Sequence, residues 1–436
     1  MSVVDFIFYS LGAVCAYLAY KTNPFKQAPE SSPSFVSFQR NYVFVFLVMM
    51  GSDWLQGPYV YALYASYGYA KEEISTLFIA GFGASMVFGT IVGSFGDTIG
   101  RKKTCILFGI LYTLSCFTKH FSNFYVLMLG RLLGGVATSL LFSVFEAWMV
   151  CEHNEQRFAP SLLGGTFSQA YFCNSIVAIS AGLVGQWAAR TFSNGEGDNL
   201  VAPFDCAAIL LTIGTTVVAL TWMENYGNKT SPFLEQMQMA STVIVQNQEV
   251  VIAGACQSLF EGAMYTFVFM WTMSLEAAAE RADMGPIPHG YIFSCFMVSC
   301  MIGSCLFKYL SAKLELTSLL SYVVGVAALG LLPAAIGAEY FGFTILMIGF
   351  CVFEGAVGCY WPLIGEIRSA VIPEECRSTI MNFFRVPLNL IVVIVLFNIS
   401  KLSNQFVFRF CVTLLGVSAY LATILHIPVG KRSKAH

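Results

Sequence analysis

An all-α integral membrane fold is what the sequence predicts, and three observations carry the prediction. The 436-residue chain is 57% hydrophobic and only 11% charged, with a mean hydropathy of +0.69. An ordinary soluble domain carries about 25% charged residues, so this chain has too little polar side chain to cover a water-facing surface. The apolar residues also come in runs long enough for helices of about 20 residues to cross a ~30 Å hydrocarbon core. Those runs are continuous rather than alternating, which excludes a transmembrane barrel.

In chain order the runs fall at roughly 3–20, 42–65, 74–95, 104–119, 123–151, 161–188, 203–223, 249–273, 290–310, 317–337, 341–364, 378–400 and 404–427. That makes about thirteen spans by the length rule. Cytoplasmic loops carry an excess of Lys and Arg, and the loops obey that bias if the first run crosses from outside to inside. Lys21, Lys26 and Arg40 follow it; every second loop then holds Arg101 to Lys103, Arg157, Lys229, Lys308 and Lys313, Arg368 and Arg377, and finally Lys431, Arg432 and Lys434. The alternate loops hold Lys71, Lys119, Arg190, Arg281 and Lys401. The N-terminus is thereby expected outside and the C-terminus in the cytoplasm. The 3–20 run lacks the basic n-region and small-residue cleavage site of a signal peptide, so it reads as a retained helix.

Several function classes drop out early. The net charge of −2 and the absence of long basic runs give no footing for nucleic acid. The 14 cysteines lie mainly within apolar runs with no CxxC; a buried Cys behaves as a small hydrophobe, so neither a disulfide framework nor a metal site is expected. No nucleophile elbow, phosphate loop or metal-ligand helix is present. The reading is a non-enzyme without cofactor, whose partners are the bilayer, a small solute and protons, and which acts as a monomer.

The loop GSFGDTIGRKK at 93–103 is a tight turn in which Gly96 and Gly100 permit close approach, Asp97 can cap a helix, and Arg101, Lys102 and Lys103 hold the turn at the cytoplasmic side. It resembles the loop between core helices two and three of the major facilitator superfamily. GRLLGGVATS at 130–139 is similar to the Arg-Gly motif of that superfamily's fourth helix. The resemblance implies a twelve-helix core in two six-helix halves plus one extra N-terminal helix. The expected boundaries are 1–41 for the extra helix and linker, 42–223 and 249–436 for the halves, and 224–248 for a central cytoplasmic loop. It also implies a gating role for Gly96, Asp97, Gly100, Arg101 and Lys102. The second-half counterpart, GSCLFKYLSAKLE at 303–315, keeps only Lys308 and Lys313 of that pattern.

Further strings narrow the resemblance. SDWLQGPYVYALY (52–64), LFIAGFGASMVFGTIVGS (77–94), ATSLLFSVFEAW (137–148), WMENYG (222–227), QSLFEGAMYTFVFMWT (257–272), IPHGYIF (287–293) and IPEECRSTIMNFFRVPLN (372–389) look like the molybdate-anion transporter family. That resemblance implies a secondary active transporter of molybdate or a related tetrahedral oxyanion, working by alternating access, with the plasma membrane as its site.

Core helices 1, 4, 7 and 10 line the central cavity of such a fold, and each carries one acid here: Asp53, Glu146, Glu261 and Glu354. Three of the four stand in an F-E-[AG] phrase. Glu261 lies about 11 residues into its run, ~16 Å deep at 1.5 Å per residue. A charged acid facing lipid at such depth costs at least ~2.5–3.5 kcal/mol, so these acids are expected to face a polar interior, pair with a base or be protonated. Desolvation disfavours the charged form of a carboxyl, which makes Glu261 and Glu354 the leading candidates for carrying a coupling proton, with Asp53 and Glu146 beside them. Glu146 or Glu152 also reads as a latch for Arg101.

An oxyanion needs a cation and fixed donors. Arg385, about eight residues inside its run and roughly 12 Å deep, is the leading candidate; Pro387 loosens the helix two residues on, and Asn382 shares its face. Arg131 is the second. Trp54, Gln56, Tyr59, Tyr265, Tyr360 and Trp361 are candidate orienting donors. Two rival functions remain open at this level: a proton-coupled carrier of a different, cationic solute, and a non-transporting sensor or scaffold of the same fold.

Overall fold

The computed structural model describes residues 3–22, 32–193, 197–226, 233–373 and 377–427; the side chains of Asp97 and a few other helical residues lie outside the description. Among the described residues the chain is helical throughout, with no strand. In order the helices are α1 (Val3–Thr22), α2 (Pro33–Gln56), α3 (Val60–Ser66), α4 (Lys71–Ile99), α5 (Arg101–Phe117), α6 (Phe124–Leu141), α7 (Val144–Glu155) and α8 (Pro160–Thr191). They continue with α9 (Ala202–Thr221), α10 (Phe233–Gln246), α11 (Gln248–Arg281), α12 (His289–Leu310), α13 (Leu316–Ile336), α14 (Ala338–Val371), α15 (Arg377–Phe397) and α16 (Asn404–Ile424). Nine candidate spans among the described residues are long and apolar enough to cross a membrane by length and composition. The remaining expected runs are helical too, α5 being 17 residues long.

Local chemistry sets many of the boundaries. The side chain of Ser32 accepts from Phe35 N, Asn123 from Tyr125 and Val126 N, Asn247 from Glu249 and Val250 N, and Ser403 from Phe406 N. Each satisfies N–H groups that the first helical turn leaves without partners. Gly100 (φ 115°) ends α4 and opens α5, a backbone conformation that only glycine adopts without strain.

Within three of the expected segments the structure adds detail, while Phe124–Glu155 remains one candidate span. The run 42–65 is broken between α2 and α3, where Pro58 lacks the N–H that would continue the ladder. The run 123–151 is broken at Phe142–Ser143, where the Ser143 hydroxyl bonds back to Ser139 O at 2.7 Å and competes with the helix. The segment 224–248, expected as loop, contains α10.

The helices cluster into two compact units. The N-terminal unit comprises Asn23–Ser231 with His289–Ser294; the C-terminal unit comprises Met1–Thr22, Pro232–Pro288 and Cys295–His436. Each repeats one packing scheme over six helical positions. In the N-terminal unit α2 packs on α8 and α9, α4 on α6, and α5 on α6 and α9. In the C-terminal unit α11 packs on α15 and α16, α12 on α14, and α13 on α14 and α16. The second-to-fourth contact is backbone on backbone in both. A Cβ on Gly135 would sit 2.3 Å from Gly81 O, and one on Gly303 would sit 1.8 Å from Gly355 O. In lipid, helix association rests on such close approach because tails are as apolar as the side chains. Two helices stand outside the scheme: α10 packs on α15 and α11, and Cys295 Sγ donates to Val4 O of α1 at 4.0 Å.

Candidate functional site

In the C-terminal unit, three helices bring polar groups together inside the bundle. Gln257 and Glu261 stand one turn apart on α11, and both are buried. From α14, the hydroxyl of the fully buried Tyr360 donates to Glu261 Oε1 at 3.4 Å, and its ring stacks on Phe260 at 3.8 Å. Two turns further along α14, Arg368 Nη1 donates to Gln257 Oε1 at 3.3 Å. From α15, Arg385 joins Arg368 as a cation acting on Glu261. The α15 backbone is held against α11 at that level: Ser258 Oγ donates to Phe384 O at 3.0 Å, and Gly254 leaves room for the Phe384 ring. One turn past Arg385, Asn389 Nδ2 donates to Arg385 O at 2.9 Å. The result is one buried carboxyl that accepts from the Tyr360 hydroxyl, one turn from the Gln257 amide that holds Arg368, with the charges of Arg368 and Arg385 near enough to act on it.

The other predicted acid of this unit is in a different situation. Glu354 on α14 is buried, yet among the described residues it has no hydrogen-bond or ion-pair partner. Its electrostatic neighbours are the thiols of Cys300 and Cys351. Of the remaining candidates here, Asn382 and Tyr265 are half-buried and Trp361 is 39% exposed.

In the N-terminal unit, Asp53 on α2 accepts a short hydrogen bond from the hydroxyl of Tyr112 on α5. Arg131 on α6 lies across Gly81, with its Nε donating to Leu77 O at 3.2 Å and its guanidinium 4.5 Å from the centre of the Phe78 ring. Its charge also acts on Tyr112, the residue that donates to Asp53. Gln56 donates to Ser52 O at 3.1 Å, and the buried Tyr59 hydroxyl donates to Gln186 Oε1 at 3.5 Å, so both are engaged within the unit. Glu146 is exposed in the first turn of α7. The break at Phe142–Ser143 changes which face α7 presents, so the repeated F-E-[AG] phrase does not give it the burial of Glu261 or Glu354.

At the motif loop, the Asp97 side chain lies outside the described residues, and Gly96 is buried. Arg101 N donates to Asn225 O at 3.0 Å and Arg101 Nη1 to Ala147 O at 3.1 Å. Lys102 N donates to Glu224 Oε1 at 2.9 Å, which puts a carboxylate on the positive end of α5. The same stretch is fastened to α7: Trp148 Nε1 donates to Met223 O at 2.9 Å, Asn225 Nδ2 donates to Trp148 O at 3.2 Å, and the Trp148 and Trp222 rings stack at 3.6 Å. Glu152 accepts from Gln156 and Asn225.

Sequence reasoning missed Arg368, Gln257, Glu224 and Asn225 as parts of these clusters. Arg368 had counted only as a cytoplasmic charge, although it repeats the heptad spacing Glu354–Trp361–Arg368 along one helix. Glu224 stood within WMENYG, where an acid at the end of an apolar run was the available signal.

Two six-helix units with one packing scheme and a glycine-rich basic loop after the second core helix define a multi-pass helical membrane protein, and the relatives that follow make its class that of a transporter. A family model described as sugar transporters, 12 TM, matches residues 3–349. The molybdate-anion transporter of Xenopus tropicalis is 34% identical over 396 residues, covering 88% of this chain and 85% of its own. That of Danio rerio is 30% identical over 406 residues, covering 84% and 80%. Among solved structures, a D-xylose–proton symporter superposes with a TM-score of 0.70 at 13% identity over 92% of this chain and 99% of its own. The inward-open xylose transporter XylE from E. coli gives 0.69 at 12% over 91% and 97%. The chain belongs to the molybdate-anion transporter family of the major facilitator superfamily.

Proposed function

We propose that this protein is a secondary active transporter of molybdate or a related tetrahedral oxyanion, moving it by alternating access with protons as the coupling ion. The observation that carries the reading is a buried carboxyl, Glu261, on which the charges of Arg368 and Arg385 both act, with Arg368 held by Gln257 one turn away on the same helix. With Glu261 ionised, one of the two positive charges is matched internally. With Glu261 protonated, both guanidinium groups need an anion, and planar N–H forks suit the oxygens of a tetrahedral oxyanion. Proton binding and anion binding thus favour each other at one place. The argument matters because each negative charge carried into a negative-inside compartment costs ~2.3 kcal/mol per 100 mV, so a divalent oxyanion moves without net charge only with two co-transported protons. Glu354, buried without a partner among the described residues, is the second proton carrier in this scheme; Asn382, Tyr265 and Trp361 orient the anion around Arg385. In the N-terminal unit, Asp53 and Arg131 supply a further acid and cation. The gating role stays with Gly96, Asp97, Gly100, Arg101 and Lys102, and the protein acts as a monomer in the plasma membrane with its N-terminus outside.

The test is uptake of labelled molybdate into proteoliposomes, with and without an inward proton gradient. Gradient-stimulated uptake is expected for the intact protein, with loss of transport in Arg385→Ala and loss of the gradient response in Glu261→Gln. Uptake in Glu261→Gln and Glu354→Gln that keeps its full pH dependence would refute proton carriage by these acids. Competition by organic cations, with none by tungstate or sulfate, would refute the oxyanion.

A further inference from the structure

The C-terminal unit carries a cation that none of these clusters uses. Arg409 stands five residues past the first residue of α16 (Asn404–Ile424), ~7.5 Å along the axis at 1.5 Å per residue. That depth is well short of the bilayer centre, and a long arginine side chain can carry its guanidinium from there toward the headgroups. Its Nε donates to Ala335 O at 2.8 Å. Ala335 is the penultimate residue of α13, among the last four whose carbonyls lack intrahelical partners, and the arginine fills one of them. A guanidinium has five N–H donors in a planar fork. Among the described residues no other acceptor takes the remaining four of Arg409.

An open groove of about 350 Å³ lies between the same two helices, lined by Leu332, Ala335, Ile336, Arg409, Val412 and Thr413. Four of these are aliphatic, one is a hydroxyl and one is the cation. On α13 and α16, Leu329, Ile336, Val417 and Tyr420 are exposed large hydrophobics, from 45% to 66% exposed. In a membrane lipid tails cover such a face. A cation whose remaining donors find no acceptor among the described residues, held at the end of α13 beside an apolar groove open to the tails, has the two-part chemistry of one molecule.

The geometry points to a bound phospholipid, its phosphodiester on the Arg409 guanidinium and one acyl chain in the groove between α13 and α16. Arginine engages phosphate oxygens bidentately. The lipid bridges α13 to α16 where the α13 backbone has run out of its own hydrogen bonds, so its effect is read as stability of the unit, independently of any transported solute.

The experiment uses the full chain, purified and delipidated in detergent. Thermal unfolding is followed after adding phosphatidylglycerol, diacylglycerol of the same chains, or inorganic phosphate. A rise of several degrees in Tm is expected with phosphatidylglycerol alone, and Arg409→Gln abolishes it. An equal rise in Arg409→Gln, or an equal rise from diacylglycerol, would overturn the phosphate contact; a rise from inorganic phosphate alone would overturn the lipid in favour of a free-anion site. Native mass spectrometry gives the second readout, with Leu332→Trp filling the groove while leaving Arg409 in place. Loss of one tightly held phospholipid is the expected result, and unchanged retention sinks the proposal.

Discussion

Replacing Gly100 by alanine tests the motif loop at the point where backbone and charge meet. Gly100 has φ 115° and ψ 133°, and a Cβ there would sit 2.5 Å from the Glu224 carboxyl. Holding a non-glycine residue in so sparsely populated a conformation costs about 1–3 kcal/mol. The methyl group also evicts Glu224 from Lys102 N, a charge-assisted bond of about 1.5–3 kcal/mol. Taking the carboxylate off the α5 N-terminus removes another ~0.3–1 kcal/mol. Allowing for overlap between these contributions, Gly100→Ala should cost roughly 3–5 kcal/mol. A double-mutant cycle with Glu224→Ala separates the parts. Glu224→Ala alone loses the two electrostatic contributions; once it is in place, Gly100→Ala should add only the backbone cost, for a coupling of about 2 kcal/mol. Reversible unfolding in mixed micelles, followed by SDS titration, measures all four corners. Strict additivity would refute the reasoning, because the methyl group introduced in place of the Gly100 hydrogen would then not act through Glu224.

Two other outcomes follow from the packing and the site. Arg368→Gln removes one of the two cations acting on Glu261 while keeping an amide near Gln257. Molybdate uptake should fall at least ~10-fold, about 1.4 kcal/mol, with little change in Tm, and an unchanged rate would take Arg368 out of the site. Gly303→Val forces α12 away from α14, since the atom its Cβ would meet at 1.8 Å is the Gly355 backbone oxygen and cannot swing aside. It should yield no monodisperse folded protein by size-exclusion chromatography, whereas Gly12→Ala, with nothing within 4 Å, should fold normally; equal behaviour of the two would contradict the close α12–α14 contact.

Much of the fold was legible because its determinants are local. Span length follows from apolar run length and bilayer thickness, and Ser32, Asn123, Asn247 and Ser403 mark helix starts by a side chain that reaches only two or three residues. The breaks at Pro58 and at Phe142–Ser143 were less legible, because hydropathy runs straight through both and carries no signal of backbone direction. The acids were found by depth, which is again local. Their environments were not: Glu261 and Glu354 share a phrase and a buried position, yet one accepts from Tyr360 and is acted on by two arginines while the other has no partner among the described residues.

The sequence by itself determined that this chain lives in lipid, that it crosses as helices, and which few polar residues stand deep within their apolar runs. Composition and run length suffice for that, since transfer from water to hydrocarbon depends on what each segment is and hardly on what lies beside it. The tertiary structure alone decided which of those residues meet. Tyr360 reaches Glu261 across 99 positions, Arg368 reaches Gln257 across 111, and Glu224 reaches the α5 N-terminus across 122. Pairings at such separations are set by how helix faces pack, through contacts such as Gly254 on Phe384 and Gly303 on Gly355. The period of a single helix shows which residues share a face but not which other helix that face will find.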